Sequence, residues 1–356
     1  MPREELTPKE KATLCGMARY PSYNDRELSE ILREKMSTVT SIRRRLRVRG
    51  LYFKSMVPSF RALGCEVMAI CYGGVSSGYL VDMKKAVDRG LFEGEEDASF
   101  FAQVGTFSWL ELGAFRDFSE AKRKGEGLWR KLDAVLGGVR GHPCVQSSYP
   151  IDQMEIHNFF DHMPLLSKLF RLPAPKERAG PARRRPGRKL SSIERLVFYG
   201  LVKWPDVPDK FIADKLSVSR QAVARIRKAL VKEGFISPLI IPSLDKLGYD
   251  ILAYFRFHLS PRDSDRGREA AVNTILKAVP HIFAMSAGFE CAAVGAYCTF
   301  PEFEKTTTAL IRRLEDAGHL EGAPEVQTFL LPDTVMVKNH DYVPVVKSML
   351  ELNIED

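Results

Sequence analysis

The chain has few of the residue patterns that metal, thiol or membrane chemistry needs. Six cysteines stand at 15, 65, 71, 144, 291 and 298 without a single C-x-x-C pair. That argues against a structural zinc site or a disulfide framework, and for small buried side chains in a reducing compartment. Seven histidines show neither H-x-H nor H-x-x-x-H spacing, and no glycine-rich phosphate loop is present, so no metal and no cofactor is expected. No run of 18 apolar residues occurs, and the opening Met1-Pro2-Arg3-Glu4-Glu5 lacks an apolar signal region. The expectation is a soluble, cytoplasmic protein with no membrane partner. One G-x-S-x-G string, Gly74-Val75-Ser76-Ser77-Gly78, lies between a strand and a helix that do not belong to a parallel hydrolase sheet, so it is not read as a nucleophile elbow. On these absences the chain is not expected to be an enzyme.

What it does have is a repeat. Residues 6–71 align with 190–255 at a constant offset of 184, through Leu6/Leu190, Pro21/Pro205, Asp25/Asp209, Leu32/Leu216, Val39/Val223, Ile42/Ile226, Leu46/Leu230, Gly50/Gly234 and Pro58/Pro242. Apolar residues, turn glycines and prolines hold their spacing while the polar ones drift, as in two copies of one folded unit. The net charge of +8 is concentrated, because Lys176, Arg178, Arg183, Arg184, Arg185, Arg188 and Lys189 face only Glu177 within one short stretch. Such a block is a placed basic element rather than a sticky surface.

Helical periodicity predicts helices near 7–20, 25–33 and 37–49, and again near 191–203, 208–216 and 219–233. Ser219 is a good N-cap, whereas Lys35 at the matching place predicts a shorter helix that starts at Ser37. Each set is followed by a strand-turn-strand wing (Leu51–Val57, Phe235–Ile241), then Pro-Ser and Leu-Gly around a short helix. Beyond these lie two βαββαβ patterns. The second runs Ile251–Leu259, Gly267–Val279, Ile282–Gly288, Glu290–Phe300, Pro301–Ala317 and Val326–Val337. The first runs Glu66–Tyr72, Tyr79–Arg89, Ser99–Phe107, Ser108–Phe115, Ser119–Leu136 and Val145–Met154. An apolar segment from Phe159 to Phe170, kinked at Pro164, is expected to dock on the body or on another subunit. The fold class is therefore α+β in tandem duplication: winged helix-turn-helix at 1–64 and 190–248, ferredoxin-like units at 65–171 and 249–356, and a basic Pro/Gly/Arg linker at 172–189.

A helix-turn-helix, a Leu-Gly junction and a βαββαβ unit with a Gly288-Phe289-Glu290 hairpin resemble the Lrp/AsnC family of prokaryotic transcription regulators. The resemblance spans nearly the whole chain, as two fused copies. It is closest at Leu216-Ser-Val-Ser-Arg-Gln-Ala-Val-Ala-Arg-Ile-Arg-Lys-Ala-Leu230. It implies dimerisation through the βαββαβ domain and a small-molecule effector near Gly288, Phe289 and Glu290. The first copy reads Gly105-Thr106-Phe107-Ser108 there, without the acid.

With Val223, Ile226 and Leu230 turned to the core, Ser219, Arg220, Gln221, Ala224, Arg225 and Lys228 face outward. Arginine reads guanine and glutamine reads adenine through paired hydrogen bonds in the major groove. The first copy offers Met36, Ser37, Thr38, Thr40, Ser41 and Arg44. Arg43, Arg45, Arg47, Arg49, Arg227 and Lys232 suit phosphate contact, and Arg183, Arg184 and Arg185 suit a narrow minor groove. The expected partners are double-stranded DNA, a second copy of the chain and an unknown small effector. A different class stays open. Siroheme decarboxylases resemble the same architecture as fused pairs without DNA binding, and need histidine and arginine lining the βαββαβ cleft. Residues Ala284–Phe289 offer only His281 nearby. A ligand-binding scaffold with vestigial heads is the third reading.

Overall fold

A computed structural model describes residues 5–75, 80–90, 98–136, 144–172 and 188–352. The first half runs α1 (Pro8–Arg19), α2 (Asp25–Leu32), α3 (Met36–Val48), β1 (Tyr52–Pro58), α4 (Phe60–Leu63), β2 (Val67–Gly74), α5 (Leu80–Asp88), β3 (Ser99–Val104), β4 (Ser108–Phe115), α6 (Phe118–Leu136), β5 (Cys144–Pro150), β6 (Met154–Phe159) and α7 (Met163–Phe170). The second repeats it: α8 (Ser192–Lys203), α9 (Asp209–Leu216), α10 (Arg220–Lys232), β7 (Ile236–Pro242), β8 (Ile251–His258), α11 (Asp265–Ala278), β9 (His281–Ala287), β10 (Glu290–Tyr297), α12 (Phe300–Asp316), β11 (Glu325–Leu330), β12 (Val335–Asn339) and α13 (Val343–Leu350).

Each head is a three-helix unit whose third helix exists because an aliphatic stripe recurs at helical spacing. Val39, Ile42 and Leu46 on α3, and Val223, Ile226 and Leu230 on α10, are all buried. Both helices end at a glycine in the left-handed region, Gly50 at φ +62° and Gly234 at φ +77°, where any other residue would be strained. The two are equally long at 13 residues, so the expected shortening of the first is corrected. Lys35 stands at its N-cap without a side-chain hydrogen bond, while Ser219 Oγ accepts from the Ala222 amide at 3.2 Å. Burial of the stripe outweighs one missing cap. Lys35→Ser should therefore stabilise the chain by about 1 kcal/mol and Ser219→Ala destabilise it by a similar amount, read as opposite shifts of the urea midpoint.

The wing is built differently from the expectation. Leu51–Val57 and Phe235–Ile241 do not each fold into strand, turn and strand; each head supplies one continuous strand, and β1 and β7 form a two-stranded sheet. No residue between Leu51 and Val57 takes the positive φ of a tight hairpin. The Leu-Gly junctions also differ, with α4 in the first and a run of turns through Leu244–Leu247 in the second.

Two five-stranded sheets follow, ordered β11-β8-β10-β9-β6 and β12-β3-β4-β2-β5. Four strands of each are the ferredoxin-like βαββαβ core, and the fifth comes from the other half of the chain. Proline explains how. Val326–Val337, expected as one strand, is cut at a 3₁₀ turn, Leu331–Asp333, that contains Pro332. β11 pairs with β8, Glu325 opposite Arg256, while β12 pairs with β3, Val335 opposite Val104. Val145–Met154 divides likewise at Pro150, and β6 joins β9.

The chain accordingly gathers into two compact units that each draw on both halves. One comprises Met1–Lys54, Glu155–Gly180 and Pro238–Pro332; the other comprises Ser55–Met154, Pro181–Ser237 and Asp333–Asp356. In the first, one face of the sheet packs Ile251, Ala253, Phe255, Phe257, Cys291, Ala293 and Tyr297 against Ala271, Ile275, Phe303, Leu310 and Leu314 of α11 and α12. α7 packs on α1 and β9, and the Leu165 carbonyl accepts from Tyr249 Oη at 2.9 Å. Pro164 lies in the first turn of α7 rather than kinking it, because proline tolerates the place where no amide bond is needed. In the second unit α13 packs on α8, α4 and β3, with Tyr342 stacked on Phe100 at 5.1 Å. No helix among the described residues is long and apolar enough to cross a membrane.

Candidate nucleic-acid interface

In the first unit the outer face of α3 exposes Met36, Ser37, Thr40, Ser41, Arg44, Arg45 and Arg47, with Thr38 and Arg43 half-buried. In the second, α10 exposes Arg220, Gln221, Ala224, Arg225 and Lys228 beside the cap Ser219, with Arg227 half-buried. Both stripes of predicted reading residues thus reach solvent.

Their charges are not equally available. Asp25, at the first turn of α2, holds Arg43 Nη1 and accepts from Thr40 Oγ1 at 2.6 Å. The same pair recurs 184 residues on, where Arg227 Nη2 meets Asp209 at 2.5 Å. Glu10, buried, closes a capping box with Thr7 and also accepts from Arg45 Nε at 2.8 Å and Arg49 Nη1 at 3.1 Å. Burial pushes its carboxyl up, but the bonds from Thr7 and Arg45 together hold it below its ordinary value. Arg44, Arg220, Arg225 and Lys228 have no ion-pair partner among the described residues.

In the second head the equivalent carboxylate, Glu194, caps α8 with Ser191 and is met from outside the helix-turn-helix. Arg188 donates to Glu194 at 2.8 and 2.9 Å and to Glu233 at 2.8 Å. The Arg188 guanidinium pushes Glu194 down to about 2, against the opposing effect of burial and with help from Ser191. A depressed folded-state value means stability that is whole above the ordinary carboxylate range and lost as pH falls from there towards 2. Arg188→Ala should flatten part of the acid dependence of the thermal midpoint between pH 5 and 2. An unchanged slope would show the pair contributes nothing. Arg183, Arg184 and Arg185 lie outside the described residues, as do Ser76 and Ser77 of the G-x-S-x-G string.

At the predicted effector hairpin, Gly288 takes φ +56° and Phe289 is 43% exposed beneath the Arg268 guanidinium, 4.5 Å from the ring centre. Glu290 is clamped by Arg256 at 2.8 and 3.1 Å; Arg256 also reaches Glu325 at 3.4 Å, and His258 Nε2 lies 3.1 Å from Glu325. Sequence reasoning missed Arg256, His258 and Glu325. The signal was period-2 alternation: with Phe255 and Phe257 in the helix-side core, Arg256 and His258 must face the other way. His281, half-buried, accepts from Asn158 Nδ2 at 3.1 Å through Nδ1, and burial foremost keeps it below its ordinary value. In the first copy's hairpin the Gly105 amide donates to the Ser108 carbonyl at 2.7 Å, and Phe107 is exposed. Burial raises the thiols of Cys15 and Cys291 to about 12, which makes them poor nucleophiles.

No family model matches the chain, and no curated protein matches its sequence. Among solved structures, the chain is similar to the siroheme decarboxylase NirDL, at 10% identity, over 96% of this chain and 98% of that one, with a TM-score of 0.53. The fold is shared from end to end. NirDL in co-complex with an iron-uroporphyrin III analogue matches over 92% of each chain at 10% identity and a TM-score of 0.50. AsnC from E. coli is a shorter likeness, at 14% identity over 40% of this chain and 93% of its own, with a TM-score of 0.33. The duplicated helix-turn-helix and ferredoxin-like architecture is therefore the fold class, as expected. The full-length likeness to an enzyme also overturns the expectation that the chain is not one, since the absence of known catalytic motifs does not separate this architecture from an enzyme's.

Proposed function

We propose that the chain is a sequence-specific DNA-binding regulator that lays its third head helices in the major groove of double-stranded DNA. The observation that carries this reading is the exposed face of α10, where Arg220, Gln221, Arg225 and Lys228 stand free on a helix braced from behind by Val223, Ile226 and Leu230. Arginine and glutamine there have the geometry for guanine and adenine edges. A homodimer would carry four heads, and a small effector acting near Phe289 would have to compete with Arg256 for Glu290. Arg225→Ala should weaken specific binding by about 1–3 kcal/mol and relax selectivity at one base pair, measured by titration of a selected duplex at fixed salt. Unchanged affinity and footprint would remove Arg225 from the reading set.

A second reading rests on a different observation, the end-to-end likeness to NirDL together with Arg256 and His258 on the face away from α11 and α12. On this reading the chain acts on a tetrapyrrole carboxylate. Incubating the purified chain with siroheme and following its absorption spectrum and carbon dioxide release decides it: conversion supports catalysis, and an unaltered tetrapyrrole speaks against it.

A further inference from the structure

Resting on the DNA-binding reading, we propose that the two heads are unequal. α10 supplies the base selection and most of the phosphate neutralisation, so the chain selects one asymmetric, guanine-containing site rather than a repeat of like half-sites.

The two helices correspond position by position at an offset of 184. Met36, Ser37, Thr40, Ser41 and Arg44 stand where α10 has Arg220, Gln221, Ala224, Arg225 and Lys228. Three long hydrogen-bonding side chains on α10 thus face two short hydroxyls and a thioether on α3. The internal ion pairs widen the difference. Arg43 and Arg227 are both spent on an aspartate of the preceding helix, which cancels between the heads. In the first head, however, Glu10 also claims Arg45 and Arg49, and Asp25 takes the Thr40 hydroxyl as its donor. In the second, Ala229 and Glu233 occupy the positions of Arg45 and Arg49. Arg188 neutralises Glu194 from outside, so no cation of α10 is drawn inward to do it. The outer face of α3 keeps Arg44 free and exposes Arg47 near its C-terminal end, while α10 keeps Arg220, Arg225 and Lys228 free. Met36 and Val48, 55% and 81% exposed, add apolar surface to α3. A guanidinium on a free stem can pair with guanine O6 and N7, and each freed phosphate counterion steepens the salt dependence. At the base-reading positions α3 has no counterpart of Arg220, Gln221 and Arg225, and its phosphate contacts fall to Arg44 and Arg47.

The test uses the full chain and a randomised duplex pool for selection, followed by titration of the selected duplex over a series of KCl concentrations. The expected motif is one guanine-containing element. Arg220→Ala/Arg225→Ala/Lys228→Ala should lower affinity on the order of 100-fold or more and reduce the log–log salt slope by about 2–3. Ser37→Ala/Ser41→Ala/Arg44→Ala should change affinity only a few-fold and the slope by at most about 1. Because every site is exposed, circular dichroism of both variants should match the parent. A transplant, Met36→Arg/Ser37→Gln/Thr40→Ala/Ser41→Arg, should add a second copy of the motif to the selected sequences. Equal losses from the two triple variants, or two like half-sites selected by the parent, overturn the inequality while leaving DNA binding intact. A parent that selects no duplex at any salt overturns the DNA-binding reading itself.

Discussion

Expressed separately, residues 1–172 and 188–356 should each fail to give a sharply melting monomer, and mixing them should restore a one-to-one complex that unfolds cooperatively. The reason is the exchanged strand and helix. Without the second fragment, the β2–β5 sheet loses β12 from the edge of β3, and Phe100 and Phe60 lose the Tyr342 ring, centred 5.1 and 6.1 Å away. Without the first, β9 loses β6, and Phe283 loses Phe160 at 5.6 Å. Each large apolar side chain re-exposed costs roughly 1.5–3 kcal/mol, against a total domain stability of only about 5–15 kcal/mol. An open edge strand adds an aggregation hazard. Light scattering and thermal melts of each fragment alone would sink the idea if either proved monomeric with a sharp transition.

The stability of the intact chain should fall by about 3 kcal/mol between pH 6.5 and pH 4 on account of His162 alone. Burial lowers this imidazole to about 4, only partly opposed by its 2.7 Å bond to the Phe160 carbonyl. The unfolded chain takes up the proton near the ordinary value of 6.5 while the folded chain refuses it until about 4. Stability is therefore whole above 6.5, declines as pH falls through the window, and levels off below it. His281, also held below its ordinary value, acts in the same direction. Tyrosine already fills the matching place of the repeat, Tyr342, so His162→Tyr should flatten the curve of denaturant-derived stability against pH. A parent chain equally stable at pH 7 and 4.5 would rule out the buried neutral imidazole.

The heads were legible because helix periodicity and capping are local: stripe, cap and terminal glycine all fall within 16 residues. The βαββαβ order was legible for the same reason, with ends displaced by a few residues. The strand exchange was not. Which edge a strand joins depends on partners more than 120 residues away, and each crossing strand reads as the tail of β5 or β11 because apolar residues resume beyond Pro150 and Pro332. A late signal existed, since Asp161-His-Met-Pro164 and Asp341-Tyr-Val-Pro344 repeat at an offset of 180 and open α7 and α13. The offset itself drifts from 184 to 180 along the chain, which hides that match from a fixed-offset comparison. At the interface, outward-facing residues followed from the stripe. Which arginines are committed did not follow, because Glu10 meets Arg45 and Arg49 across 35 and 39 residues. The repeated Asp25/Asp209 and Arg43/Arg227 did carry that information in the sequence, as identical charges kept at fixed places in both copies.

During synthesis, β3 must wait for a partner that is translated roughly 230 residues later. At about 5–20 residues per second that interval is roughly 10 to 50 s. Throughout it the nascent first half offers an apolar, unpaired flank, Ser99–Val104, whose side chains are all buried in the finished protein. A growing polypeptide in this state is a natural client for holding chaperones, and slowing the ribosome inside the linker should lengthen that dependence.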